Sequence, residues 1–320
     1  MKSLYVGIIV LLVAAIMISG CSSTVEGNSP TSVKAPVERA GGSAENSHEK
    51  IYLIGGMDIN GKTLKIVEEY DPANGTWATK TPMPTGRFGA ESVVWNDEIY
   101  VIGGRDGNLV LSTIEKYNSL TDTWTTLRSM PTGRWNPMTE VVDGKIYVIG
   151  GISGTGDNRK TLATVEVYSI KDNTWSSLPD APFNRQNGAS AVIGDAIYII
   201  SGRSGTGEGP STDPTVNKFD TASGQWTRVS SLPEGRTGVR GATVSRGIIV
   251  VAGGAAIDKL LPGVLVYSPQ SNRWEQKFTL SVPRTGNCCV AIGNTLYILS
   301  GSSSADPIRM TTKVESFPIT

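Results

Sequence analysis

The chain has 320 residues and a mass of 33.9 kDa, which suits two average domains or one large domain built of strands. Its 37 glycines and 17 prolines, with 39% apolar residues, favour many short strands joined by turns around a sizeable core. Basic and acidic residues number 29 each, and this balance excludes a global field that would attract nucleic acid. The chain has a single histidine, His48, which we place in an N-terminal tether. The globular part therefore cannot form a Ser-His or Cys-His triad, and we expect no metal and no cofactor.

The first twenty residues have the pattern of a secretory signal peptide. Lys2 precedes an uncharged apolar run that ends at Ile18 and is shorter than the roughly 20 residues a spanning helix needs. Two small residues then precede Cys21, a pattern similar to the lipobox of prokaryotic lipoproteins; an uncleaved anchor with an incidental cysteine is the alternative. The resemblance implies removal of residues 1–20, lipid on Cys21, a flexible tether over residues 21–28 and an extracytoplasmic location at the cell membrane.

Three features recur with a period of about fifty residues, the first two of them six times, and indicate a repeat architecture. The first is an apolar strand ending in two small residues: Ile51–Gly56, Ile99–Gly104, Ile146–Gly151, Ile197–Gly202, Ile249–Gly254 and Leu296–Gly301. The second is an arginine upstream of each small pair: Arg39, Arg87, Arg134, Arg185, Arg236 and Arg284. The third, in five copies, is an aromatic residue followed by tryptophan: Tyr70/Trp77, Tyr117/Trp124, Tyr168/Trp175, Phe219/Trp226 and Tyr267/Trp274.

These repeats resemble the Kelch repeat over residues 29–320. The resemblance implies an all-β fold, a six-bladed Kelch-type β-propeller of four-stranded antiparallel blades. The residues agree, because each complete copy has four short apolar or alternating runs separated by turn residues. We expect the aromatic residues to pack between blades, and the small pair to allow a close approach of two backbones.

The last copy lacks a fourth strand, which affects how the ring closes. We predict that residues 28–34 pair with this copy and remove the two open edges; a three-stranded last blade is the alternative. A ring closed in this way has no obligate need for a second subunit, so we expect a monomer.

Strand order divides the predicted propeller into two faces. With strands a to d counted from the channel outward, the b–c and d–a connections share one face, the long-loop face. The a–b and c–d turns share the other, the short-turn face. Variable loops on one side of a regular scaffold favour a binding surface there. In eukaryotic Kelch adaptors similarly placed arginines bind acidic peptides, so the resemblance implies that the six repeat arginines recognise anions; a structural role in bridging blades or capping carbonyls is the alternative.

Residues that break the repeat are further candidates for ligand binding. They are Glu91, Glu140, Asn187 and Arg240, expected on inner strands, and Arg105 and Arg203, expected beside the mouth of the channel. Glu91 and Arg240 should face each other across the ring, where they bind an acidic ligand or form an internal ion-pair network. Cys288 and Cys289 should point to opposite faces of one strand, with a vicinal disulfide as the alternative.

Two functions from different classes remain. The sequence favours a non-enzymatic, lipid-anchored module that binds a protein segment or a glycan at the long-loop face of the channel. The alternative is a sugar isomerase resembling the sialic-acid mutarotases (N-acetylneuraminate epimerases), which also use six extracytoplasmic Kelch repeats. In that case Glu91 or Glu140 is the catalytic base, and arginines hold the sugar carboxylate. A closed pocket where a carboxylate meets two or more arginines favours the enzyme, and an open rim favours the binding module.

Overall fold

The computed structural model describes residues 33–205, 212–240, 243–245, 247–305 and 308–319 of the chain. Its strands form six four-stranded antiparallel blades around a central channel. The inner strand of each blade contacts the inner strands of both neighbours, and the last contacts the first. The six-bladed propeller predicted from the repeats is therefore confirmed. The signal peptide and tether predicted for residues 1–28 lie outside the described residues.

The first half of the chain contains a short leading strand and three blades. The leading strand and blade 1 comprise β1 (Val33–Lys34), β2 (Ser43–Ser47), β3 (Lys50–Ile54), β4 (Val67–Asp71) and β5 (Thr76–Lys80). Blade 2 comprises β6 (Glu91–Trp95), β7 (Glu98–Ile102), the hairpin β8 (Arg105–Asp106) and β9 (Leu109–Val110), β10 (Ile114–Asn118) and β11 (Thr123–Thr126). Blade 3 comprises β12 (Met138–Val142), β13 (Lys145–Ile149), β14 (Ile152–Ser153), the 3₁₀ turn Gly156–Asn158, β15 (Lys160–Thr161), β16 (Val165–Ser169) and β17 (Thr174–Leu178).

The second half contains the other three blades. Blade 4 comprises β18 (Ala189–Ile193), β19 (Ala196–Ile200), β20 (Val216–Asp220) and β21 (Gln225–Val229). Blade 5 comprises β22 (Val239–Arg240), β23 (Thr243–Ser245), β24 (Ile248–Ala252), β25 (Gly263–Ser268) and β26 (Arg273–Thr279). Blade 6 comprises β27 (Asn287–Ile292), β28 (Thr295–Leu299), the hairpin β29 (Ser302–Ala305) and β30 (Ile308–Met310), and β31 (Lys313–Pro318). Within the described part of the chain, no helix is long and apolar enough to cross a membrane.

The N-terminal strand supplies the missing fourth strand of blade 6. Strand β1 pairs antiparallel with β31, placing Val33 opposite Val314. The side chain of Val33 packs on a cluster that joins blade 6 to blade 1 and includes Ile51 and Val290. The predicted closure is therefore confirmed for residues 33–34, and the three-stranded alternative is wrong; residues 28–32 lie outside the described range.

Aromatic and aliphatic side chains hold adjacent blades together. One cluster packs Tyr100 and Ile102 of blade 2 against Ile146 and Val148 of blade 3. The five repeated aromatic pairs have ring centroids 4.7 to 5.2 Å apart. Trp124 Nε1 also donates a hydrogen bond to a backbone carbonyl of the preceding blade. Packing between blades, the role expected for these aromatic residues, is therefore confirmed.

The small pair at the end of each b strand lies against the next blade, as predicted. Gly103 has a φ of +62°, and a Cβ at this position would lie 2.4 Å from the carbonyl oxygen of Arg134. The N–H of Gly104 donates to the same carbonyl at 2.8 Å. An equivalent hydrogen bond occurs at all six blade junctions, the last of them from Gly301 to Arg39. The repeat arginines therefore join neighbouring blades through their backbones.

A second circle of hydrogen bonds, which we call the backbone ring, lies two residues after each repeat arginine. Each ring residue donates its N–H to the carbonyl of its counterpart in the preceding blade, at 2.6 to 3.0 Å. All six have a φ between +51° and +71°, a conformation that glycine and asparagine adopt most readily. The ring residues are Gly41, Gly89, Asn136, Asn187, Gly238 and Gly286. The six inner strands therefore start at the same level of the channel.

Two placements expected from the sequence were wrong. Asn187 is not on an inner strand, because its positive φ and its place in the backbone ring make β18 start two residues later. His48 is not in a tether but in the a–b turn of blade 1, between β2 and β3. The inner strand that precedes it, Ser43–Ser47, is mostly polar and so gives no apolar strand signal.

We expect Val33→Asp to destabilise the propeller, because the substitution puts a carboxylate into the apolar contact between blades 6 and 1. The melting temperature should fall by about 5 °C, corresponding to a loss of roughly 2 kcal/mol in a chain of this size. The matched control is Lys34→Ser, which changes an exposed side chain of the same strand. Equal melting temperatures for wild type and both variants would contradict closure by β1.

Candidate functional site

The six repeat arginines lie inside the blades, not at the surface of the mouth. Their exposed fractions run from 0% to 4%. In five blades the guanidinium group donates to the carbonyl of the first residue of its own small pair, as from Arg87 to Gly103 at 2.9 Å. Arg185 is the exception and donates to Asp213 and Thr215. The contacts of the repeat arginines correspond to the structural role that the sequence left open as an alternative. Their guanidinium groups lie away from a ligand at the mouth.

Five of these arginines form ion pairs with a carboxylate of their own blade, for example Arg134 with Glu166 at 2.9 Å. The other four pairs are Arg39–Glu68, Arg87–Glu115, Arg185–Asp213 and Arg284–Glu315. Arg236 has no such partner among the described residues and donates to the carbonyls of Gly253 and Gly263. Burial accordingly lowers the pKa of Arg236 to about 10.

An aromatic and arginine cluster lies at the long-loop mouth of the channel. The guanidinium carbon of Arg105 is 5.2 Å from the ring centroid of Phe88 and 4.9 Å from that of Trp135. Phe88 also covers the backbone ring, since a Cβ on Gly41 would lie 2.2 Å from its aromatic ring. Arg203 pairs through its backbone with the residue of blade 4 equivalent to Phe88. We call the group Phe88, Arg105 and Trp135 the mouth cluster.

Two donors of the mouth cluster have no hydrogen-bond partner among the described residues. These are Nε1 of Trp135 and Nε of Arg105, both buried beneath the surface of the mouth. Burial lowers the pKa of Arg105, and the nearby charge of Arg159 lowers it further. The cluster therefore combines aromatic surface, positive charge and unused N–H groups, a combination that suits an acidic or carbonyl-rich partner.

Arg240 crosses the channel from blade 5 to blade 2. Its Nη1 lies 2.6 Å from a carboxylate oxygen of Glu91 and 3.0 Å from the carbonyl oxygen of Ala90, and its Nη2 donates to the side chain of Asn136. Glu91 and Arg240 thus face each other as predicted, in the arrangement of an internal ion pair. Among the described residues Glu91 meets this one arginine, short of the two or more expected for a sugar-acid enzyme. Through Asn136, Arg240 also contacts the backbone ring at the long-loop end of the channel.

Below Arg240 the inner strands enclose a cavity of about 330 Å³. Three glutamates from consecutive blades line it: Glu45, Glu91 and Glu140. Burial raises the pKa of Glu91 to about 7 and that of Glu140 to about 8. Burial raises the pKa of Glu45 well above its usual range, and the charges of the other two raise it further. The sequence analysis missed Glu45, although it lies four residues after its ring residue, as Glu140 does.

The remaining predicted side chains have defined places. The amide Nδ2 of Asn187 donates to Thr237 Oγ1 at 3.1 Å, next to the backbone ring. Cys288 and Cys289 are free and buried, and they pack toward blades 1 and 5, so the predicted opposite orientation is confirmed. Burial raises the pKa of Cys288 to about 12, which keeps this thiol protonated. Within the described ranges no group of three or more His, Cys, Asp or Glu side chains is placed to hold a metal ion.

Comparisons with known proteins agree with the repeat pattern. A family model described as "Attractin/LZTR1 beta-propeller" matches residues 51–310. Kelch-like protein terF of Aspergillus terreus is 29% identical over 84% of this chain and 62% of its own length. Kelch-like protein 7 of Mus musculus is 36% identical over 77% of this chain and 41% of its own length. The chain therefore spans about three fifths or less of these curated relatives.

A solved structure, "Structure of YjhT", has the same fold. It superimposes with a TM-score of 0.74 over 88% of this chain and 95% of its own, at 18% sequence identity. At this identity the likeness shows the fold alone.

We expect Arg134→Met and Arg236→Met to differ in their effects on stability. The first leaves Glu166 buried without its counter-charge and should cost about 3–5 kcal/mol. The second leaves only carbonyl groups unpaired and should cost about 1–3 kcal/mol. Urea unfolding of both variants measures the difference, and equal losses would contradict the structural role assigned to the buried ion pairs.

Proposed function

Because the chain belongs to the Attractin/LZTR1 β-propeller family and is a six-bladed propeller of Kelch repeats, we propose that it binds a segment of another protein at its long-loop face. The distribution of exposed apolar side chains carries this proposal. The described residues include four large, well-exposed hydrophobic side chains, and three of them, Ile59, Leu109 and Ile257, lie on b–c connections of this face. These three side chains lie in loops of blades 1, 2 and 5, and loops that a regular scaffold presents on one face commonly form a binding surface.

The mouth cluster supplies an anchor at the centre of this face. Aromatic and arginine side chains in partly desolvated positions contribute most of the affinity at protein interfaces. Arg105 lies over Phe88 and Trp135, so its charge is held in one place before a partner arrives. The positive charge of Arg105 is suited to carboxylate oxygens of a partner. The partner segment that fits this chemistry carries an acidic side chain.

A library of peptides displayed on phage tests this function with the purified full chain. We expect the selected peptides to be rich in Asp or Glu. Arg105→Ala and Trp135→Ala should weaken their binding at least tenfold, because each removes part of the anchor. The matched control is Leu120→Ala, which removes an exposed apolar side chain from the short-turn face and should leave binding unchanged. Selected peptides that bind all three variants as tightly as wild type would reject the mouth as the binding surface.

We also propose that the propeller is held at the outer side of the cytoplasmic membrane by lipid on Cys21. The support is the sequence around this cysteine, namely the basic start, the short apolar run and the two small residues before it. A single lipid-bearing N-terminus followed by a short polar tether leaves the long-loop face free to meet a partner.

Cys21→Ser should abolish incorporation of labelled fatty acid when the full chain is expressed in a bacterial host, because the acceptor thiol is lost. The Cys21→Ser protein should also be found in the soluble fraction instead of the membrane fraction. Cys289→Ala is the control, since that thiol is buried in the propeller and should not affect labelling. Labelling that persists in Cys21→Ser, or is absent from the wild type, would contradict the anchor.

A further inference from the structure

The cavity below Arg240 has more carboxylates than cations in its lining. Glu45, Glu91 and Glu140 line it together with Arg240, the one cationic side chain among its described lining residues. Arg240 is already bonded to Glu91. Glu45 accepts a hydrogen bond from Ser92 at 2.9 Å and Glu140 lies near the hydroxyl group of Ser190, and both are close to other carboxylates instead of to a cation. The cavity therefore lacks positive charge where these two carboxylates lie.

Among the described residues, the other elements around the cavity do not supply that charge. Strand β27 contributes the thiols of Cys288 and Cys289, whose pKa values burial raises. Strand β18 contributes Ser190 and two apolar side chains. The pKa values of Glu91 and Glu140, about 7 and about 8, mean that the cavity carries bound protons at neutral pH. A cation placed among these groups would favour their ionised forms and displace those protons.

Buried hydroxyl groups in the same lining have no partner. Ser43 and Thr139 are each 4% exposed, and neither Ser43 Oγ nor Thr139 Oγ1 has a hydrogen-bond partner in the part of the chain that the structure describes. The side-chain oxygen of Asn46, also in the lining, is likewise unpartnered. Most buried polar atoms in folded proteins are hydrogen-bonded, so unpartnered atoms on residues that line one cavity favour a polar ligand there.

The size of the cavity and the placement of its glutamates favour an organic molecule over a single metal ion as the ligand. The described residues offer no group of three carboxylates placed to hold a metal ion, so the glutamates do not converge on one point. The cavity volume of about 330 Å³ is the volume that roughly ten water molecules occupy in liquid water. It is enough for a compound the size of a monosaccharide. Arg240 spans the channel at the long-loop end, so we place the entrance at the short-turn face.

We propose that the channel binds a small organic cation that carries hydroxyl groups, an amino polyol or an amino sugar. The ammonium group of this ligand lies between the carboxylates of Glu45 and Glu140, and its hydroxyl groups bond to Ser43 and Thr139. This site is entered from the face opposite the mouth cluster, so it does not rest on the proposed function at the long-loop face.

Three six-carbon polyols that differ in charge test the proposal by titration calorimetry on the full chain. They are glucamine (1-amino-1-deoxysorbitol), sorbitol and gluconate. We expect glucamine to bind, sorbitol to bind at least tenfold more weakly and gluconate not to bind. Glucamine should bind about tenfold more tightly at pH 8 than at pH 6, with release of protons, because its ammonium group stays charged while Glu91 and Glu140 ionise.

Variants locate the site. Glu140→Gln removes a carboxylate and Thr139→Val removes a hydroxyl group at nearly constant volume, and each should weaken glucamine binding at least tenfold. Trp135→Ala, at the mouth cluster, should leave glucamine binding unchanged. The peptide site at the mouth and the small-molecule site in the channel can therefore be tested separately. Melting temperatures show that each variant is folded before its binding is compared.

Four results would overturn the inference. Equal binding of sorbitol and glucamine would show a neutral polyol site, and tighter binding of gluconate would show an anion site. Displacement of glucamine by low concentrations of potassium or calcium would show a site for an inorganic ion. Absence of heat from glucamine at 10 mM would show that the cavity takes none of these compounds.

Discussion

A closed circle of six backbone hydrogen bonds places the inner strands of this propeller at one level. Each bond joins a residue with positive φ to its counterpart in the preceding blade, and the last blade bonds the first. The repeat arginine two residues earlier is turned into its blade, where it is buried. The residue between them, such as Phe88 or Trp135, lies at the mouth. One three-residue segment in each blade therefore sets the level of the strands, the position of the buried arginine and the surface of the mouth.

This arrangement divides the molecule into two separate regions for recognition. The repeat arginines are used within the blades, so recognition at the mouth falls to Arg105, Phe88 and Trp135, which differ from copy to copy. Arg240 and the backbone ring separate the mouth from the cavity below. The proposed protein segment and the proposed small molecule therefore involve different residues and different ends of the channel.

The sequence predicts the fold because the buried b strands, the small pairs and the Tyr–Trp pairs repeat in register. It also predicts that Glu91 and Arg240 face each other, since equivalent positions in opposite copies face across a six-membered ring. The sequence does not identify Glu45 as a residue of the cavity, because its strand is mostly polar and the repeats can be counted without that strand. The burial of the repeat arginines could not be predicted from the sequence either, because a residue repeated in every copy is compatible with both a structural and a binding role. Their pattern with glycine or asparagine two positions later, read as a positive-φ signal, would have found the backbone ring.

Amide hydrogen exchange of the ring residues tests the central claim most directly. The amides of Gly41, Gly89, Asn136, Asn187, Gly238 and Gly286 should exchange together, at the rate set by global unfolding, because opening one bond breaks the circle. Gly107, in the exposed turn of the β8–β9 hairpin, should exchange many orders of magnitude faster. Fast or unequal exchange among the six amides would show that the circle does not hold the blades together, and would contradict this account.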